Sequence, residues 1–336
     1  MDTRRVGVRF ALALAALALV GYVAGADRVF DALAGTDAGY VALAVATSIV
    51  SLVCFVETFV HAVSVVEDRG MRARATYLAG SFARNVLPWG NVASATLVTY
   101  AVSRDANTGY ERALAAVAAD EYVTTATSFV AVAVGAAFAV SGGTGDLATL
   151  AATVGVAGLA VVAGVFAVAH ARPRGLVAAV TAVTDRLQRV AVRVSPRAAT
   201  VLDRENISAR LTGFDHTVRA IAADRVRLAA MLGFCLAGWV TLAATLHYAA
   251  AAVALSVPVS LALAVVPLAG LAAIVPLPGG IGSVDAALLG LLVLTTGEPT
   301  ALAAAAALLY RLVGFWLHFA ISAVAVAFAP IPLDFR

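Results

Sequence analysis

The sequence predicts an all-α, polytopic membrane protein with about six full transmembrane helices and two helical hairpins that are broken by proline and glycine. Hydrophobic residues make up 62% of the 336 positions and charged residues only 13%, whereas soluble domains are about half apolar and a quarter charged. The apolar residues are also grouped in runs long enough to cross a bilayer, which takes about 20 residues in a helix. Residues 1–336 are therefore predicted to form a single integral membrane domain.

The first apolar run follows Arg4, Arg5 and Arg9, as the core of a secretory signal would. Because the run is long for a signal core and other spans follow, we predict an uncleaved first helix. The six predicted spans are residues 8–26, 38–66, 111–140, 147–170, 228–255 and 300–329.

Two further pairs of apolar segments are individually too short to span the bilayer. They are residues 73–87 with 92–103, and 259–275 with 283–296, and a break containing Pro and Gly joins each pair. Each pair is interpreted as a helical hairpin that enters and leaves by one membrane face, or as two short tilted spans.

The two breaks belong to an internal repeat, with a first copy at residues 73–140 and a second at 259–329. A shift of 188 residues without a gap aligns Pro88 with Pro276, residues 113–116 with 301–304, and Tyr122 with Tyr310. Paired broken segments in two halves of a chain are the best sequence indicator of a transporter's substrate site.

The distribution of arginine predicts the orientation, because cytoplasmic loops carry the excess of positive charge. The N-terminus carries three arginines, the loop after the second span carries Arg69, Arg72 and Arg74, and residues 172–227 carry eleven against five acids. All three segments are predicted to be cytoplasmic, and the loops at 27–37 and 141–146 to lie on the outer side of the cell membrane. With this threading the two hairpins enter from opposite faces, so the repeats are inverted.

The basic segment 172–227 has apolar residues at helical spacing, including Leu176, Val180 and Leu187, with arginines among them. Two interpretations stay open: an amphipathic surface helix on anionic headgroups, followed by a second helix, or a solvated connector with interfacial arginines. With about 55 residues, the segment is too small for a catalytic domain of ordinary size.

The second break combines two prolines and three glycines: Pro276, Pro278, Gly279, Gly280 and Gly282. Broken backbone at membrane depth persists only where protein or a wet cavity satisfies its polar groups. A helix beginning near Ser283 would direct its N–H groups and positive dipole end at an anion such as a lipid phosphate. Asp285 in its first turn could cap the helix, pair with an arginine or bind a coupling cation. The alternative is a tightly packed helix corner without a ligand.

The first break is poorer in glycine and more polar. Arg84 and Asn85 end one arm, Pro88 interrupts the chain, and Asn91 opens the next arm. Arg84 is a candidate contact for phosphate, or it reaches the membrane interface by snorkelling.

Charged residues inside the predicted spans are candidate functional residues, because charge at membrane depth is costly. Arg311 lies twelve residues beyond Pro299, which places it about 18 Å into its helix. Its possible partners are Glu57, Asp120, Glu121 and Asp285.

Glu57 and His61 are four residues apart, so they share a helix face. They could relay a proton or form a buried, satisfied pair.

The two breaks and the charged residues near them resemble the motifs of a known family. The segment 276–282, the acid Asp285, Gly297 and the pair Tyr310 and Arg311 resemble the C-terminal signature of the lysylphosphatidylglycerol synthase transmembrane-region family of flippase-like proteins. Residues 85–88 are similar to the first motif of that family. The resemblance implies lipid translocation, and it covers nearly the whole chain.

Two departures from the family pattern are visible. The family usually has Glu where this chain has Asp285. Its first repeat commonly has an acid soon after the turn and a Glu-Arg pair in the next helix. Residues 92–97 contain no acid here, and Asp120-Glu121 is followed by no arginine, so the resemblance leaves open whether the first repeat has a charge pair.

We therefore expect a translocator of an anionic phospholipid or a polyprenyl-phosphate-type lipid, with both breaks contributing to one shared site. The alternatives are a membrane-embedded transferase using Asp120, Glu121 or Asp285 as base, and a scaffold for a separately encoded glycosyltransferase. The sequence shows no phosphate-binding loop, dinucleotide fingerprint, HExxH motif or Cys/His cluster. We expect no cofactor, no metal and no nucleic-acid partner.

Overall fold

The computed structural model describes residues 26–66, 70–87, 90–141, 145–171, 204–275 and 277–328, which are helical apart from short connections and contain no strand. The helices are α1 (Ala26–Ala34), α2 (Ala38–Val63), α3 (Gly70–Val86), α4 (Gly90–Asp105), α5 (Tyr110–Ser141), α6 (Gly145–Ala171), α7 (Arg204–Ala223), α8 (Arg225–Ala252), α9 (Val259–Leu271), α10 (Ser283–Thr296), α11 (Thr300–Arg311) and α12 (Leu317–Phe328). The chain is an all-α polytopic membrane protein.

Five helical stretches within the described residues are long and apolar enough to cross a membrane: Ala38–Val63, Tyr110–Ala139, Arg225–Ala252, Pro278–Thr296 and Thr300–Phe328. Four of them match predicted spans, and the predicted span at 147–170 is the continuous helix α6. Most of the predicted first span, together with Pro88, Pro276 and residues 172–203, lies outside the described residues.

One arm of the second hairpin was predicted correctly, and one loop was not. Residues 283–296 form α10, with the predicted bounds, and they make a stretch long and apolar enough to cross a membrane only together with the preceding turn Pro278–Gly280. Most of the predicted loop 27–37 is helix α1. Its Val29 is buried, and α1 packs against α11.

The helix bounds of the two halves correspond at the shift that aligns the sequences. Helix α3 matches α9 with its following turn, α4 matches α10, and α5 matches α11 with α12, each to within a few residues. The opposite orientation of the two repeats stays a prediction.

Helices α2 and α8 form the most extensive helix pair of the bundle. Ser51 donates to the carbonyl of Gly238, while the hydroxyls of Thr47 and Thr245 are 3.1 Å apart. Partner numbers fall along α8 as they rise along α2, so the two helices are antiparallel. Small side chains at such an interface let the backbones approach closely, and the hydroxyls bond between helices.

Helix α7 is the described part of the basic segment, and it packs against α5. Its Thr217 and Ile221 are buried, while Arg219 pairs with Asp215 at the exposed surface. The sequence had left open whether this region lies on the membrane or is a solvated connector. The described helix packs on the bundle by one face and is exposed on the other, and its position on the membrane stays a prediction.

Candidate functional site

The second break is held in a conformation that favours glycine. Gly279, Gly280 and Gly282 have φ of 59°, 63° and 89°, in the left-handed region that side chains disfavour. At Gly279 there is also no room for a Cβ, because one would strike the ring of Phe315. The turn therefore needs glycine at this position for both its backbone and its packing.

Asp285 joins this turn to the helix that follows. One carboxylate oxygen accepts the backbone N–H of Gly282 at 2.6 Å, which caps the start of α10. The other oxygen accepts from Nε of Arg311 at 2.7 Å. Asp285 thus both caps the helix and pairs with an arginine, two of the roles that the sequence had left open. Some of the anion-binding capacity of this helix end is already used by its own carboxylate.

Arg311 is buried at the centre of this site, with only 8% of the residue exposed. Besides Asp285, it donates from Nη2 to the carbonyl of Gly279 at 3.2 Å, and its guanidinium carbon lies 4.1 Å from the centre of the Phe315 ring. Carboxylate, carbonyl and aromatic face together offset the cost of burying the charge. Of the four acids proposed from sequence, Asp285 is its partner.

A cavity of about 280 Å³ opens beside this ion pair. Asp285 and Arg311 form its polar part, and the remaining walls are apolar, among them Leu33, Ile281, Leu308, Leu312 and Trp316. A pocket with apolar walls and one convergent charged group suits an amphipathic ligand with an anionic end.

The first break carries a second ion pair. Nη2 of Arg84, at the end of α3, lies 2.6 Å from Oε1 of Glu121 on α5. The sequence left open whether the first repeat has a charge pair. The structure shows one, and its arginine comes from the arm before the break and not from α5. Gly90 packs directly on the carbonyl of Arg84, where a Cβ would clash, so a side chain there would push the two arms apart.

The two ion pairs differ in their accessibility. The side chains of Arg84 and Glu121 are 38% and 42% exposed, whereas those of Arg311 and Asp285 are 10% and 9% exposed. The two pairs also have arginine and acid in exchanged positions. In the first repeat the arginine is on hairpin helix α3 and the acid on long helix α5, whereas in the second the acid is on hairpin helix α10 and the arginine on α11.

The two breaks touch each other. A Cβ on Gly279 would lie 3.5 Å from the carbonyl oxygen of Asn85, and α3 packs against the turn Pro278–Gly280. Next to this contact, the rings of Phe82 and Phe319 stack with centroids 5.3 Å apart. Arg311, Gly279 and Asn85 thus form a continuous chain of contacts to Arg84.

Asp120 lies beside the first ion pair and is 6% exposed. Its Oδ1 has no hydrogen-bond partner among the described residues, and neither has Nε of Arg84. Asp120, Glu121 and Arg84 line a small polar void with Tyr77, Ser81 and Ser94.

Glu57 and His61 are not joined through their side chains. Both carboxylate oxygens of Glu57 accept from Arg74 on α3, at 2.7 and 2.9 Å, while Nδ1 of His61 lies 2.8 Å from the backbone oxygen of Glu57. A proton relay between the two side chains stays a prediction, and Glu57 is engaged in a bidentate ion pair.

The remaining residues of interest from the sequence lie on α4, α5 and α11. Tyr310 is buried directly before Arg311, Asn91 lies in the first turn of α4, and Tyr122 donates its hydroxyl to the carbonyl of Val162 on α6. The aligned tyrosines therefore do not both have an evident place beside the charged groups.

Comparison with known proteins decides the family. A family model described as the lysylphosphatidylglycerol synthase TM region matches residues 8–322. The chain belongs to this family. It is accordingly a multi-pass membrane protein of a lipid-related family. A search of curated proteins gave no match.

Within this lysylphosphatidylglycerol synthase TM-region chain, the carboxylate of Asp285 reaches Arg311 at 2.7 Å. It does so because Asp285 lies on the first turn of α10, which packs against α11.

Sequence reasoning missed three contributors to the site. These are Phe315, Arg74 and the π-helical turn Leu312–Trp316 that follows Arg311. Phe315 lies four residues after Arg311, so an aromatic residue at that spacing was a visible sign of a cation–π contact. Single π turns often occur at functional sites, but no residue pattern in the sequence marks this one.

Proposed function

We propose that this chain is a flippase-like translocator that moves an anionic, phosphate-bearing lipid or lipid-linked precursor between leaflets. The observation that carries the proposal is the meeting of two broken helical hairpins, each with an arginine held beside the break. Broken helices that meet near the middle of a membrane protein form the substrate sites of many secondary transporters.

Arg84 and Arg311 are the proposed headgroup contacts. A guanidinium binds phosphate through two parallel N–H groups, and both arginines use a carboxylate as their present partner. A phosphate that replaces Glu121 or Asp285 exchanges one anion for another, so the arginine is never left unpaired inside the protein. The cavity of about 280 Å³ beside Arg311 would receive the headgroup and the first part of its apolar chain.

The orientation proposed with this function puts the N-terminus and residues 172–227 in the cytoplasm. It is tested with a membrane-impermeant thiol reagent on intact cells. Thr36→Cys should be labelled from outside, and Arg72→Cys only after the membrane is opened. The reverse labelling would contradict the orientation.

Lipid movement is tested with the purified full chain in liposomes that contain a trace of a fluorescent anionic phospholipid. A quencher added outside reports how fast the label reaches the outer leaflet. We expect wild type to accelerate this movement and Arg311→Ala and Arg84→Ala each to reduce it at least tenfold, since about 1.4 kcal/mol of lost binding already gives that factor.

Two controls make the result decisive. Arg219→Ala removes an arginine whose side chain is 56% exposed and whose partner Asp215 is 52% exposed, and it should transport like wild type. Each variant is first shown to elute as a folded species. Folded wild type that moves lipid no faster than empty vesicles would refute translocation, and an unchanged rate in Arg311→Ala would remove this residue from the site.

A further inference from the structure

We propose that Asp120 takes up one proton when an anionic headgroup binds at Arg84, so that a proton travels with the lipid. The proposal rests on the function proposed above and adds its driving force. It starts from an observation that headgroup binding does not use: a buried carboxylate oxygen of Asp120 without a hydrogen-bond partner.

The charges around Asp120 do not balance. The cluster contains two acids, Asp120 and Glu121, and a single guanidinium, that of Arg84, which is already bonded to Glu121 at 2.6 Å. With both acids ionised, the three side chains together carry one excess negative charge, and Asp120 is buried in the helix bundle. Such a charge costs several kcal/mol unless it is paired or neutralised.

Among the described residues, no second cation faces Asp120 to neutralise this charge. The other titratable groups that face Asp120 in the described part of the chain are Tyr77 on α3 and Cys235 on α8, neither of which is a cation. Ser81 and Ser94 complete the polar wall. Asp120 is therefore the group of this cluster at which an added proton would remove the excess charge, and its unpartnered Oδ1 is the atom that would carry it.

The void beside Asp120 also fits a proton better than a metal ion. Its volume is about 20 Å³, roughly the space of a single water molecule. Within the described residues, no group of three or more His, Cys, Asp or Glu side chains that could hold a metal is found. One water in this void could deliver the proton, since Glu121 and Arg84 beside it are partly exposed.

Anion and proton then bind cooperatively. A phosphate that replaces Glu121 on Arg84 releases a second carboxylate next to Asp120 and raises the negative charge of the cluster further. Protonation relieves this repulsion, so a bound headgroup favours the proton, and by linkage the proton favours the headgroup to the same extent. Lipid and proton consequently move in the same direction.

Proton uptake is measured without any transport. Infrared spectra of the full chain in phosphatidylcholine bilayers are recorded over a pH series, and the carbonyl band of protonated carboxyl groups is followed. The difference between wild type and Asp120→Asn should show this band, and adding phosphatidylglycerol should increase it at constant pH. Asp215→Asn, which changes an acid whose side chain is 52% exposed, should leave the band unchanged.

A second variant guards against misfolding. Arg84→Gln keeps Asp120 and removes the proposed anion contact, so its band should persist but no longer respond to phosphatidylglycerol. Identical spectra for wild type and Asp120→Asn at every pH, or a band in wild type that phosphatidylglycerol does not change, would overturn the proposal.

Coupling is measured in liposomes with a pH gradient and a trace of fluorescent phosphatidylglycerol. The label should accumulate in the leaflet that faces the alkaline side, by up to about tenfold per pH unit for one proton per lipid, and a protonophore should abolish the accumulation. In Asp120→Asn the steady-state distribution of the label between the leaflets should not depend on the pH gradient, even if the lipid still moves. Asp120→Glu should restore the dependence.

The outcomes separate the two proposals. Lipid movement that depends on a sodium gradient instead of the pH gradient would refute coupling to a proton. Absence of movement under every condition would refute translocation, while the infrared band would still report on Asp120.

Discussion

At the scale of single residues, the candidate site depends on charges that are matched within short distances. Arg311 has a carboxylate, a carbonyl and an aromatic face around it, so its burial is compensated from three sides. Removing one member of such a pair leaves the other charge buried and alone, which costs about 3–5 kcal/mol.

The stability of the Asp285 and Arg311 pair gives a prediction. Asp285→Ala should lower the thermal midpoint of the purified protein strongly, by the equivalent of about 3–5 kcal/mol, since Arg311 loses its anion. The double variant Asp285→Ala with Arg311→Met removes both charges and should recover most of that loss. The midpoint is measured by thermal unfolding in detergent.

The matched comparison is Asp215→Ala. Asp215 pairs with Arg219, the two side chains are 52% and 56% exposed, and such pairs contribute about 0–1 kcal/mol. A double variant that is no more stable than Asp285→Ala would show that the ion pair does not determine the effect.

At the scale of elements, the two hairpins are positioned by glycines that admit close approach. Gly279 combines a positive φ with direct packing on Phe315, and Gly90 packs on the carbonyl of Arg84. The geometry of the hairpins therefore depends on the absence of a side chain at these two positions as much as the proposed lipid binding depends on Arg84 and Arg311.

Gly279→Ala tests this at the second hairpin. The new methyl strains the turn, at a cost of about 1–3 kcal/mol, and displaces Phe315 from the guanidinium of Arg311. We expect the rate of lipid movement in liposomes to fall at least tenfold.

Gly297→Ala is the control for this substitution. Gly297 has a similar φ of 68° but no atom within 4 Å of a Cβ, so Ala there brings the strain without the clash. Equal losses of transport in both variants would mean that backbone strain alone, and not the contact with Phe315, explains the effect.

At the scale of the whole molecule, two kinds of contact can be distinguished. Helices α2 and α8 are joined by hydroxyl hydrogen bonds along an extensive interface. The two repeats meet where α5 packs against α9, and where α3 packs against α12 and the second turn. In the proposed translocator one repeat moves against the other, so the second kind of contact is the one expected to change.

Cross-linking tests that division. A short thiol cross-linker between Phe82→Cys and Phe319→Cys, whose native rings stack at 5.3 Å, should stop lipid movement, because it fastens α3 to α12. The same reagent between Thr47→Cys and Thr245→Cys on α2 and α8 should leave transport intact. Transport that survives the first cross-link would contradict relative movement of the repeats. The native Cys54 and Cys235 are buried and are replaced by Ala in both variants.

The fold class and the arms of both hairpins could be predicted from the sequence, because the length of an apolar segment and its interruption by Pro and Gly are local properties. It was also sufficient to single out Arg311 and Asp285, since charge stands out against an apolar helix. It did not predict that Arg84 reaches Glu121 across 37 positions, or that Glu57 binds Arg74 in preference to facing His61. Those pairings depend on how neighbouring helices are rotated, which no single helix records.

The exchanged positions of arginine and acid in the two ion pairs bear on the ancestry of the chain. At the shift that aligns the repeats, Leu309 stands where Glu121 stands and Val123 stands where Arg311 stands. Neither pair is thus a copy of the other, although the helices around them correspond. A gene built by fusing two copies of either half would carry one pair twice and lack the other, so the complete site exists only when both unlike halves are inherited together.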